Sequence, residues 1–306
     1  MENGNLFDET FLSKLERLAL LSRRAAVGQL QGERRSPKRG YSVEFADFRP
    51  YVPGDDFRRI DWNAYARLER FFIKLFVEEE DLTVHFLIDV SQSMDWGQPN
   101  KLQFSARAAG AIAYVALVGL DRITINTWPN RGSAHHNQIA PLRGKHNAVK
   151  LFSFLQAITS ETLRSPRQDP AAWLSAYAAN AGHPGPLLLF SDLMHDAWQA
   201  GLNSLAARGF EITVLHVLSP DELDPESQAA PPLNGDYKLL DVETDRGVEI
   251  TADFSTLERY RQYLADWREN WRLFCRARNI HYVPVASSLS IEDLLFTWLR
   301  RQGVLR

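Results

Sequence analysis

The sequence predicts an α/β protein with a mostly parallel, doubly wound sheet, preceded by an N-terminal subdomain of strands and loops. Three observations carry this. From residue 82 onward, short apolar β-rich runs alternate with segments of helical period, the pattern of a sheet covered on both faces. Two of those runs, "HFLID" and "LLLFSD", end in aspartate. Before residue 82 the character changes, with aromatic and charged residues closely interleaved.

In chain order, residues 9–31 place Phe11 or Leu12, Leu15, Leu18 and Leu21 at helical spacing, which predicts a first helix. A basic stretch, "GERRSPKRG", follows, and then a block with a Pro53-Gly54 turn signal. Strands are expected at 82–89, 121–128, 185–192, 210–218 and 280–285. Helices are expected near 100–119, 147–158, 170–180, 196–208, 253–277 and 290–302. Residues 219–235 are rich in Pro, Ser and acids and read as a surface loop. Around Asp245-Arg246-Gly247 two short extended runs predict a hairpin near 236–250. The expected domains are 1–80 and 81–306.

The chain of 306 residues is long enough to bury a core, and its 45% hydrophobic content places it among globular proteins. Its net charge of −3 gives no global attraction to nucleic acid or anionic membrane, so partners must be recognised locally. The one cysteine, Cys275, excludes an internal disulfide framework and fits a reducing compartment. "MENGNLFDET" lacks the basic and apolar regions of a signal peptide, and the least charged run, "FSARAAGAIAYVALVGL", contains Arg107 and is too short to span a bilayer. A cytoplasmic location without an integral span is expected, with peripheral membrane association left open. "RGKH" lacks the serine or threonine and upstream glycine of a phosphate-binding loop; no G-x-G dinucleotide fingerprint or G-x-S-x-G nucleophile elbow occurs.

"FLIDVSQSMDWG" is the stretch that carries chemistry. A buried strand ending in Asp89 puts a carboxylate at the carboxyl edge of the sheet, where open α/β folds bind ligands, and Ser91 and Ser93 follow on the loop. One carboxylate and two hydroxyls suit a hard divalent cation such as Mg²⁺, but leave its shell incomplete. If the strand ending in Ser191-Asp192 is a neighbour, Asp192 reaches the same edge. Aspartate and serine after strands also cap helices or close Asx turns. His85 reads as a hydrogen-bonded core residue, Cys275 as an inert buried thiol, and the adjacent His135 and His136 as a poor metal pair. In "GDDFRRIDW", Asp55, Asp56, Arg58, Arg59 and Asp61 are dense enough for a catalytic or phosphate-binding patch, and turns with internal arginine–carboxylate pairs explain them more cheaply.

"LIDVSQSM" resembles the D-x-S-x-S motif of von Willebrand factor type A domains, and "LLLFSDLM" resembles their later strand ending in Ser/Thr-Asp. The whole stretch from "GERRSPKRGYSVEF" to "VSQSMDWG" resembles the signature block of Domain of Unknown Function 58, and the likeness continues through "LLDVETDRGVEI", "LERYRQYLADWRENW" and "SLSIEDLLFTWLRRQ". The resemblance implies a metal-ion-dependent adhesion site in which Mg²⁺ or Mn²⁺ is held by Asp89, Ser91 and Ser93, with Asp192 acting directly or through water. The family's usual threonine aligns with Gln168, near Thr162 and Ser165. It also implies a non-enzymatic adaptor whose partner is a MoxR-type AAA+ ATPase, serving complex assembly, maturation or stress response. Two alternatives stand beside it: a metal-dependent hydrolase or phosphatase using Asp89 and Asp192, and a vestigial metal site with Arg58, Arg59 and Asp61 making the partner contacts.

Overall fold

The computed structural model describes residues 7–18, 43–52, 55, 57, 60–78, 83–130, 137–160, 168–225, 235–240, 247–301 and 304. The chain divides into two compact units, one of residues 1–27 with 82–306 and one of residues 28–81. The described residues 7–18 pack with the larger unit. The reason is burial. Helix α1 (Glu9–Leu15) is capped by Asp8, whose carboxylate accepts the Phe11 N–H, and Phe7, Leu15 and Leu18 sit in the core of the larger unit. Ion pairs from Lys14 to Glu292 and from Lys145 to Glu16 fasten its exposed side.

The smaller unit pairs β1 (Val43–Pro50) with β2 (Phe72–Glu78) antiparallel, joined through a helix, α2 (Trp62–Leu68), which sequence reading left among strands and loops. Asp61 starts that helix: its side chain accepts the N–H groups of Asn63 and Ala64, satisfying donors that a helix N-terminus leaves open. Asp55 makes a two-pronged pair with Arg49 at 2.7 Å on each prong and accepts the Val52 N–H, fixing the intervening turn. Trp62, Tyr65 and Phe71 form an exposed aromatic cluster, the last two stacked 4.4 Å apart.

The larger unit is built on a mixed six-stranded sheet in the order β10-β7-β6-β3-β4-β5, flanked by helices. β3 (Thr83–Asp89), β4 (Arg122–Trp128), β6 (Pro186–Ser191), β7 (Glu211–Leu218) and β10 (His281–Ala286) run parallel, within a residue or two of the expected strands. β5 (Gln138–Arg143) is an addition. It pairs antiparallel with β4 at the sheet edge and carries Pro141, which only an edge strand tolerates.

Alternate residues of the central strands feed two cores. Val84, Phe86 and Ile88 join Leu188, Phe190, Leu215 and Val217 on one face, against α1, α3 (Lys101–Val118), α4 (Ala148–Ser160) and the C-terminal turns. Leu87, Leu187, Leu189, Ile212 and Val214 face the other way, against α5 (Pro170–Asn180), α6 (Trp198–Arg208) and the long α8 (Phe254–Arg276). Between α6 and α8 lie the one-turn α7 (Pro220–Leu223) and the expected hairpin, β8 (Gly235–Leu240) with β9 (Gly247–Ala252). The least charged run of the sequence is α3. It is buried nearly all round, and Gly110 lets Leu155 and Phe7 approach so closely that an added Cβ would lie 2.9 Å from Leu155. Among the described residues no helix is long and apolar enough to cross a membrane.

His85 and Cys275 are core groups. Cys275 is fully buried, and that burial pushes its thiol up to about 12. His85 meets the Tyr177 hydroxyl at 2.6 Å and the His183 carbonyl at 3.3 Å, and burial pulls its imidazole down to about 4. A folded pKa below the unfolded one means that this group's contribution is complete above about pH 6.5 and is lost as pH falls towards 4. The stability difference between wild type and His85→Phe should therefore shrink by up to about 3 kcal/mol between pH 7 and 4, as read by urea denaturation.

Candidate functional site

The chain leaves β3 in one direction, through β4 to β5, and returns on its other side, through β6 to β7 and β10. The carboxyl ends of β3 and β6 therefore flank a point where the strand order reverses, and an open α/β sheet leaves a crevice there. Asp89 is the last residue of β3 and Ser191-Asp192 lie at the end of β6, so both aspartates expected at this edge arrive on neighbouring strands.

Asp89 is 1% exposed. Its Oδ1 accepts the Ser91 N–H at 2.9 Å, an Asx turn, and its Oδ2 accepts the Ser191 hydroxyl at 2.6 Å from the neighbouring strand. Ser191 in turn accepts the Leu193 N–H at 2.9 Å. Ser91 and Ser93 bring their hydroxyl oxygens to 3.0 Å from each other. The sequence order D-x-S-x-S thus gathers one carboxylate and two hydroxyls at one corner. Burial first, and the nearby Asp192 second, push the Asp89 carboxyl up to about 7, against the hydrogen bonds that favour its ionised form.

Asp192 is also 1% exposed, and its environment was not foreseen. The Lys101 ammonium, itself fully buried, donates to Asp192 Oδ2 at 2.9 Å and to Glu222 Oε1 at 2.5 Å. Burial pulls that ammonium down, but Asp192 and Glu222 together overcome it and leave its pKa above the ordinary value. Asp192 Oδ1 accepts the Met194 N–H at 3.2 Å. Lys101 had a sequence signal: it opens an otherwise apolar helix with no acid three or four residues away, so any counter-charge must come from elsewhere. Glu222 had one too. Ser219-x-x-Glu222 is a capping box, with the Glu222 carboxylate accepting the Ser219 N–H at 2.7 Å.

The loop that carries the serines is fixed from behind. Gly97 has φ +84°, and a Cβ there would stand 2.2 Å from Ser219 Cβ, so only glycine fits. Ser287 donates to the Pro99 carbonyl at 2.5 Å. Trp96 on this loop and Met194 on the loop after β6 are about half exposed.

Gln168 uses both ends of its amide elsewhere: Oε1 accepts the Asn130 N–H at 3.0 Å and Nε2 donates to the Asn130 carbonyl at 3.3 Å, tying its loop to the turn after β4. Thr162, Ser165, His135, His136, Arg58 and Arg59 lie outside the described residues. Asp61 is 7% exposed and spends its carboxylate on the α2 N-terminus, so it is not displayed for a partner. Among the described residues no three of His, Cys, Asp or Glu group as a metal set. A cation at this edge would be held by Asp89, Ser91 and Ser93, all hard oxygen donors, and its charge would offset both the burial of Asp89 and its repulsion by Asp192.

The family model described as "Protein of unknown function DUF58" matches residues 47–270. The "Uncharacterized protein Rv1480" of Mycobacterium tuberculosis and the "Uncharacterized protein Mb1516" of Mycobacterium bovis are each 26% identical over 256 residues, spanning 83% of this chain and 77% of their own.

Replacing Lys101 with Met leaves Asp192 and Glu222 buried without their cation. The variant should lose about 3 to 5 kcal/mol, and Lys101→Met/Glu222→Gln should recover part of that, as measured by chemical denaturation.

Proposed function

Taking as premise that this chain belongs to the DUF58 family, we propose that it is a non-enzymatic protein-interaction module of von Willebrand A-like, doubly wound architecture. A divalent cation, Mg²⁺ or Mn²⁺, at the sheet's carboxyl edge captures an acidic side chain of a partner. The observation that carries the reading is the convergence of Asp89, Ser91 and Ser93 at the reversal point of the sheet, with the two hydroxyls 3.0 Å apart.

The bound cation supplies an exposed Lewis acid whose open position favours a carboxylate over neutral oxygens. The residues of the chain do the rest. Asp89 provides the negative charge, held in orientation by Ser91 N–H and the Ser191 hydroxyl. Ser91 and Ser93 provide neutral donors, which leaves net positive charge for the partner to answer. Lys101 occupies one oxygen of Asp192, which keeps that carboxylate at the margin, able to act through water. Gln168 holds the neighbouring loops together and stands outside this donor set. Trp96 and Met194 supply the apolar contact around the ion, and an exposed tryptophan beside a charged centre is a strong binding residue. The partner class is a MoxR-type AAA+ ATPase and the setting cytoplasmic, both drawn from the family resemblance and the cysteine count.

Calorimetric titration with Mg²⁺ and Mn²⁺ tests the reading. Wild type should bind one cation saturably; Asp89→Ala should abolish this and Ser93→Ala weaken it by about tenfold. Mixed with a MoxR-type ATPase of the same genome, the protein should form a complex only with metal present, and Trp96→Ala should weaken the complex without changing cation affinity. Absence of cation binding in wild type sinks the reading, and turnover of a phosphate ester lost in Asp89→Ala replaces it with a hydrolase.

A further inference from the structure

Farther along the same carboxyl edge of the sheet, where β7 and β10 end, lies a cavity of about 400 Å³. That volume is within the range of small-molecule sites. Leu218, Leu223, Val285, Leu289 and the half-exposed Trp298 make its apolar wall. Trp298 stands on the π-helical stretch Leu294–Leu299, a wide turn of the kind that recurs at functional sites.

Arg268, His216 and Ser288 make the polar part of the wall. Arg268, half-buried on α8, has no carboxylate partner among the described residues; it lies against the Tyr282 phenol. Tyr282 in turn meets His216 Nδ1 at 2.5 Å. Burial holds the Tyr282 phenol above its ordinary pKa, so it stays protonated and donates to Nδ1, which places the remaining imidazole proton on Nε2. That Nε2–H is buried on the side of the Asp192 backbone. The Arg268 guanidinium carries the charge of this wall.

We propose that this cavity binds a small organic monoanion, with its carboxylate paired to Arg268 and an aryl or alkyl body packed against Trp298 and the aliphatic wall. An arginine fork matches a carboxylate with two parallel hydrogen bonds, and a charged group set in an apolar cleft selects for that head and against neutral analogues. The proposal is independent of any cation at Asp89. Two residues of its wall link it to that site: His216, which lies beside Asp192 across the β6–β7 register, and Leu223, the residue after Glu222 on α7.

The probe is 4-phenylbutyrate, with 4-phenylbutan-1-ol as its neutral counterpart, titrated into the full chain by ligand-observed NMR and calorimetry. Saturable one-to-one binding of the acid is expected. Arg268→Gln should weaken it by about tenfold or more, the alcohol should bind wild type with a comparable loss, and Ala286→Leu, which fills the cavity from β10, should abolish binding. Among the described residues Arg268 has no ion pair to lose, and its contact with the Tyr282 phenol is one that a glutamine amide can also make, so Arg268→Gln should unfold within a few degrees of the wild-type temperature, which separates loss of the site from loss of the fold. No saturation at millimolar acid, equal binding of the alcohol, or an unchanged affinity in Arg268→Gln would each overturn the proposal.

Discussion

Two carboxylates, Asp89 and Asp192, meet at the ends of adjacent strands with almost no solvent exposure, and the surrounding structure is organised by the cost of that meeting. A buried carboxylate is expensive unless it is hydrogen-bonded or paired, and two side by side add repulsion. The chain answers the two differently. Asp89 receives neutral donors only, Ser91 N–H and the Ser191 hydroxyl, and burial, with Asp192 beside it, holds its pKa high against them. Asp192 receives the Lys101 ammonium, shared with Glu222. The unequal treatment makes Asp89 the acid whose charge is still unbalanced and Asp192 the one already answered.

This division reaches into the packing of distant segments. Lys101 opens α3, Glu222 belongs to the one-turn α7, and the Tyr260 hydroxyl of α8 donates to the Glu222 carbonyl at 2.6 Å. The same turn presses Ser219 against Gly97 on the serine-bearing loop. Helices from both faces of the sheet thus converge behind a loop that would otherwise be free to move, and the oxygens of Asp89, Ser91 and Ser93 are held in place before any ligand arrives. Preorganisation of this kind favours binding because the ordering cost is met during folding.

The sheet was readable because parallel strands buried on both faces must be apolar at successive positions, and "HFLID", "LLLF" and "ITVLHV" are. β5 escaped because an edge strand needs only one covered face: Ile139 and Leu142 are buried while Gln138, Ala140, Pro141 and Arg143 are exposed, which breaks both simple patterns. The placement of Asp89 and Asp192 followed from strand ends alone, since strand order was the one missing fact. Lys101 and Glu222 were hidden for a different reason. They lie 121 residues apart, and a pair of that separation leaves no local signature beyond a lysine without a helical partner. Gln168 shows the opposite limit: alignment with a family position told where the residue sits, whereas its amide is occupied by the Asn130 backbone.

The charge pattern also bears on what kind of work the site performs. Turnover of a water molecule needs a base that is both close and able to exchange protons with solvent. The imidazole nearest Asp192 in register, His216, is buried with Nδ1 occupied by Tyr282 and a pKa far below neutrality, while His195 accepts the Ala197 N–H at 3.1 Å on Nδ1, shaping the approach to α6. Lys101 is locked between two acids above its ordinary pKa and holds its proton. The His216 and His195 rings and the Lys101 ammonium are therefore each held in fixed hydrogen bonds, which leaves Asp89, its carboxyl pushed up to about 7, as the group at this edge whose charge is unsettled.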